Sequence, residues 1–141
     1  MIHRATPAIL LLSAAFLSTP TNAQDAKSPV VSVADLPWKG IGVPGVATAV
    51  VNGDTSKEPG HFFLKYNKGF VAPLHFHSAD HFWTTVTGTL ILTVDGKEHR
   101  LAPGSFVASI NKMKHAARCE GPEDCVMFID TRGAWDAVFV K

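Results

Sequence analysis

The amino-acid sequence predicts an all-β domain, a sandwich or barrel of short antiparallel strands. Short β-branched and aromatic runs recur from Val30 onward, each bounded by Gly, Pro, Asn or Asp. No segment sustains the 3.6-residue period of an amphipathic helix. The pair Asp95-Gly96 separates two such runs, the pattern of a tight hairpin.

The elements follow in chain order. A short helix is expected near Val33–Leu36, where Ser32 can cap it. Val46–Val51 is a β-branched, alanine-rich strand closed by the turn Asn52-Gly53-Asp54, and His61–Tyr66 is aromatic and apolar. Phe82–Val86 runs to Gly88, and Leu90–Val94 pairs with Lys97–Leu101 across Asp95-Gly96. Pro103-Gly104 turns the chain into Phe106–Ile110. His115–Cys119, Cys125–Asp130 and Ala134–Val140 complete the set.

The N-terminus reads as a targeting segment rather than as part of the fold. Arg4 is the only early charge, Ala8–Leu17 is apolar except for Ser13, and Thr21-Asn22-Ala23 has a small residue at each end. That order is a secretory signal peptide cleaved after Ala23, with an uncleaved anchor as the alternative. The apolar run is about half the roughly 20 residues that a spanning helix needs. Residues 24–29 form a polar leader expected to be disordered, and residues 30–141 form one domain. The expected location is the periplasm or the secreted fraction.

Charge narrows the partners. The segment 1–23 holds one of the 13 basic residues and none of the 12 acidic ones, so the remaining chain is formally neutral. No Lys/Arg stripe forms, which argues against nucleic acid and anionic membrane as partners. Five residues, including Gly121-Pro122, separate Cys119 from Cys125. Read as a hairpin loop, they set the cysteines opposite each other on two antiparallel strands, near disulfide reach. A disulfide is the expected state in an exported protein, with two free thiols or a soft-metal pair as the alternatives.

The chemistry is concentrated in histidine. His75 and His77, on one strand, project to the same face. His81 follows the turn Ser78-Ala79-Asp80 and enters the next strand aimed at the same space. Three imidazoles converging inside a barrel are costly to bury unless something binds them, and neutral imidazole is the commonest side-chain metal ligand. His115 returns after three intervening strands. Trp83 and Thr85, with Thr87, share the parity of His81 and face the same interior, as pocket wall or as core filling. Met127 and Ile129 are expected opposite Ala117 and His115 in the cysteine hairpin, again as pocket wall or core. His61 and His99 stand alone and read as surface or strand residues, and Lys112 and Lys114 as solvated loop lysines near the mouth.

The run Gly69, His75, His77, His81, Gly88 resembles the first motif of the cupin superfamily at every step. That motif is a glycine, five residues, His-x-His, three or four residues, usually glutamate, six residues and a glycine. The departure is His81 in place of glutamate. Gly96, Pro103-Gly104 and His115 resemble the second motif more loosely. Ile110 and Lys112 stand for its usual proline and glycine, and Cys119 for its asparagine. The resemblance spans Gly60–Ile129 and implies a single double-stranded β-helix, or jelly-roll, barrel. Its implied ligand set is His75, His77, His81 and His115 on one divalent metal ion.

Small manganese cupins with all-histidine sites share the His-x-His-x3-His spacing. An exported cupin group of unassigned reaction shares Pro103-Gly104-Ser105, the two cysteines and the ending Gly133-Ala134-Trp135-Asp136. From these likenesses Mn or Fe is favoured, with Zn, Ni or Cu as alternatives. Four neutral imidazoles leave the full metal charge uncompensated, which favours anionic ligands and Lewis-acid chemistry. Two functions follow: a dioxygenase- or lyase-type enzyme acting on a small chelating anion, or a non-catalytic periplasmic metal or ligand binder. The apolar tail Trp135, Val138 and Val140 suits either a homodimer contact or a closing barrel strand.

Overall fold

A computed structural model describes residues 30–141. The expected signal peptide and leader lie outside the described residues. A single 3-10 turn, Val33–Asp35, precedes eleven strands. These are β1 (Lys39–Gly40), β2 (Val46–Asn52), β3 (Gly60–Tyr66), β4 (Val71–Phe76), β5 (His81–Thr87) and β6 (Thr89–Val94). β7 (Lys97–Leu101), β8 (Phe106–Ser109), β9 (His115–Glu120), β10 (Cys125–Thr131) and β11 (Val138–Phe139) follow. They form two antiparallel sheets, ordered β1-β2-β3-β10-β5-β8 and β11-β4-β9-β6-β7. This is the expected jelly roll.

Period-2 alternation builds the interior. Strands β3, β9 and β10 alternate buried and half-buried residues along their whole length. Phe62, Leu64, Ala117, Met127 and Ile129 point inward, while His61, Lys65 and Arg118 point out. Phe62, Leu90 and Ile129 are almost fully buried; each such side chain contributes roughly 1.5–3 kcal/mol by leaving water. The core draws on strands of both sheets, and several of its residues share one small cavity with His77, His81 and His115.

Several expectations need correction. Cys119 and Cys125 do form a disulfide, but not across a hairpin. β9 and β10 belong to different sheets, so residues 121–124 cross from one sheet to the other and the bridge ties the sheets together. Met127 therefore pairs with Leu64 and Thr85, and Ile129 with Phe62 and Trp83, rather than with Ala117 and His115. The strand expected over Ala134–Val140 shrinks to β11, because the Trp135 amide donates to Thr55 and Asp136 is engaged by Ser78. Thr87 is exposed at the end of β5 and donates its hydroxyl to the Asp124 carbonyl. Ser32 bonds the Asp35 carboxylate and leaves the backbone of the 3-10 turn uncapped.

Candidate metal centre

Three elements bring the histidines together. His75 lies near the end of β4 and pairs directly with His115, the first residue of β9. A register shift between Ala72 and His75 ends the regular ladder there. His77 follows one residue beyond β4, and His81 opens β5 after the Ser78–Asp80 turn. All four imidazoles are buried, with His81 fully enclosed. Ligand nitrogens of His75, His77 and His115 lie within 4.8 Å of one another. The His81 ring stands outside that trio, its centroid 4.5 Å from that of His77.

One hydrogen-bond pattern repeats at all four rings. Nδ1–H of His75 donates to Pro73 O at 2.7 Å, His81 to Ala79 O at 3.2 Å and His115 to Met113 O at 3.0 Å. Each of these reaches a carbonyl two residues back along its own chain. His77 Nδ1–H donates instead to the carbonyl of Asp136. A carbonyl only accepts, so the proton belongs on Nδ1 and every Nε2 keeps its lone pair. Such a second bond fixes the tautomer and ring orientation of a metal-binding histidine.

Burial reinforces the neutral state. It pushes His77 down to about 3 and His115 down to about 4, with neighbouring imidazoles adding to the shift. Burial also lowers His75 and His81. His81 Nε2 is buried with no hydrogen-bond partner. An unpartnered acceptor in such a place costs about 1–3 kcal/mol. Ligands on an ion at about 2.1 Å sit roughly 3–4 Å apart, so a modest contraction of the cluster brings the nitrogens onto one ion. The donor set therefore fits a divalent metal.

A family model of the cupin domain matches residues 62–131, a stretch that begins in β3 and holds all four histidines. The chain belongs to the cupin superfamily. Among curated proteins no sequence matches it. Solved structures share this cupin fold. KdgF from a Halomonas species is 20% identical, with 72% of this chain and 92% of that one covered at a TM-score of 0.60. The polyketide cyclase RemF from Streptomyces resistomycificus is 15% identical, covering 79% and 84% at 0.67. The DMSP lyase DddQ from Ruegeria pomeroyi is 17% identical, covering 82% and 73% at 0.62. At these identities the likeness carries the fold alone.

Two spaces adjoin the histidines in this cupin. The inner one, about 20 Å³, touches His77, His81, His115, Trp83, Met127 and Ile129 and has room for about one water. The outer one is a cleft of about 220 Å³ with His75 and His77 in its wall. Trp83, Met127 and Ile129 thus line the interior beside the histidines. Thr85 faces inward too, but it does not reach the inner space; its hydroxyl and the Trp83 indole N–H are both buried without partners. Lys112 and Lys114 are exposed and line neither space. Asp80 turns away from the histidines to accept the amide of Asn111.

The main contribution that histidine spacing does not reveal comes from residues 133–139. Trp135 stacks on His77 at 4.1 Å between centroids and meets His81 edge-on at 4.9 Å. It lines both spaces. The Asp136 carboxylate accepts the Ser78 amide at 2.8 Å and the Ser78 hydroxyl at 2.6 Å, while its carbonyl orients His77. Tyr66 also lines both spaces, and burial pushes its phenol up to about 12. The sequence signals for the tail, its Gly133-Ala134-Trp135-Asp136 ending and its apolar residues Trp135, Val138 and Val140, do not point to the histidines.

Proposed function

We propose that this cupin is an exported, mononuclear divalent-metal enzyme, with His75, His77, His81 and His115 as ligands. The observation that carries the reading is the repeated Nδ1–H to carbonyl bond, which leaves four neutral Nε2 atoms free to bind, on a buried trio of His75, His77 and His115 with His81 beside His77. The reaction class is a dioxygenase- or lyase-type conversion of a small chelating organic anion. A bound Mn or Fe ion, or Zn, Ni or Cu in its place, supplies positive charge and open coordination positions for that anion. A polyketide cyclase and a DMSP lyase share this fold, so the fold accommodates enzymes.

The chain's own residues supply positioning and dryness. Asp136 and the carbonyls of Pro73, Ala79 and Met113 hold the imidazoles. Trp135 covers His77 and His81 and keeps water from that side. Tyr66 stays protonated at neutral pH and offers a neutral O–H donor at the junction of the two spaces. Among the described residues no Asp, Glu or Lys lines either space. That absence favours a second reading, a non-catalytic metal or ligand binder. Metal analysis of protein purified from its native compartment, beside His81→Ala, tests the centre. About one equivalent of metal, lost or weakened in the variant, supports it. Metal-free protein that cannot be reloaded overturns it.

A further inference from the structure

The outer cleft describes the ligand in a way that the metal ligands do not. None of the side chains lining it is Asp, Glu, Lys or Arg. Tyr66, Phe70, Trp135 and Phe139 give it aromatic walls, and Ile41 and Val43 form part of its rim. The rim keeps apolar surface in water, with Ile41 48%, Val43 44% and Phe139 58% exposed. The Phe139 ring lies 5.8 Å from that of His75, so the apolar rim extends to the histidines. The nearest carboxylate in the tail, Asp136, spends both oxygens on Ser78.

Polar groups that leave water need partners, and charges need them most. A polyhydroxylated acid or a zwitterion brings several such groups. This cleft answers them only with Tyr66 and with whatever the histidines hold. An apolar body, by contrast, gains from every wall. Size sets a second bound: a dry cavity of about 150 Å³ accommodates benzene, and this cleft is somewhat larger at about 220 Å³.

We infer that the ligand of this centre has a single metal-chelating head and an uncharged, apolar body of one or two rings, seated between Phe70, Trp135 and Phe139. The inference rests on the open metal site proposed above. It makes these three residues specificity determinants and the histidine floor the anchor for the head.

Three hydroxamates with the same chelating head test it: acetohydroxamate with almost no body, benzohydroxamate with an apolar ring, and 4-carboxybenzohydroxamate with a charged one. Each is titrated into the cobalt(II)-loaded full-length mature protein, and the visible spectrum reports changes at the metal. Benzohydroxamate is expected to bind at least about tenfold tighter than acetohydroxamate, and the carboxylated ring more weakly than the plain one. Val43→Lys, on the exposed rim, is expected to narrow or reverse the preference for the plain ring over the carboxylated one. Equal affinity for acetohydroxamate and benzohydroxamate overturns the inference while leaving the metal site standing. So does a carboxylated ring that binds wild type as tightly as the plain ring. Loaded cobalt whose spectrum answers to none of the three overturns the open site, and the inference with it.

Discussion

Acidifying the metal-free protein from about pH 7.5 to about pH 5 is expected to cost about 4 kcal/mol of stability through two histidines alone. Unfolded, His77 and His115 titrate at the ordinary value of 6.5; folded, burial holds them near 3 and near 4. Between those limits the unfolded chain binds protons that the folded chain refuses. Their stabilising contribution is therefore complete above about 6.5 and is lost as pH falls toward the folded values. At pH 5 each histidine accounts for about 2 kcal/mol. His75 and His81 are displaced in the same direction and add to the loss. A domain of this size has only about 5–15 kcal/mol in hand.

Urea denaturation of chelator-treated protein, followed by tryptophan fluorescence with the disulfide kept oxidised, measures the effect. The midpoint should fall steeply between pH 6.5 and 5 at a constant m-value. His77→Gln should remove about half of the two-histidine slope. Saturating divalent metal should raise the midpoint at neutral pH and lose that gain in acid, because protons compete for the same nitrogens. A midpoint that is flat from pH 7.5 to 5 would refute the argument, since it would mean that the imidazoles are hydrated in the folded state.

Two further outcomes follow from the site and its frame. Asp136→Ala frees Ser78 and loosens the carbonyl that orients His77; metal affinity, read by competition with a chromophoric chelator, should fall about 10–100-fold while the fold persists. Gly88 sits at φ +72°, and a Cβ there would lie 2.7 Å from Asp124 O and 2.9 Å from Cys125 Cα; Gly88→Ala should cost about 2 kcal/mol or more, read as a lowered melting temperature.

The legible parts of this molecule are the local ones. The strands β2, β3 and β5 to β10 follow from short β-branched and aromatic runs and from turn residues that act within a few positions, whereas β4 has no such run of its own. Asp95-Gly96 joins β6 to β7 as read, with both residues at positive φ. His75, His77 and His81 fall together because a strand end and a tight turn place them there. Pairings between sheets were not legible. Cys119 and Cys125 have a separation that serves a hairpin or a crossing between sheets equally well, and only the rest of the barrel decides. The tail was read as a strand because Ala134–Val140 is apolar. Its fate was set by contacts with Thr55, His77 and Ser78, which no local pattern encodes.

The His77–Asp136 bond joins residues 59 positions apart. During synthesis, His75, His77 and His81 emerge long before the segment that orients one of them. A nascent chain thus offers three loosely held imidazoles, and the ordered centre exists only after residues 133–139 have docked. Metal captured earlier would meet a floppy, unselective site. If the histidines hold a metal, the ordered site that would select it exists only where the tail has docked.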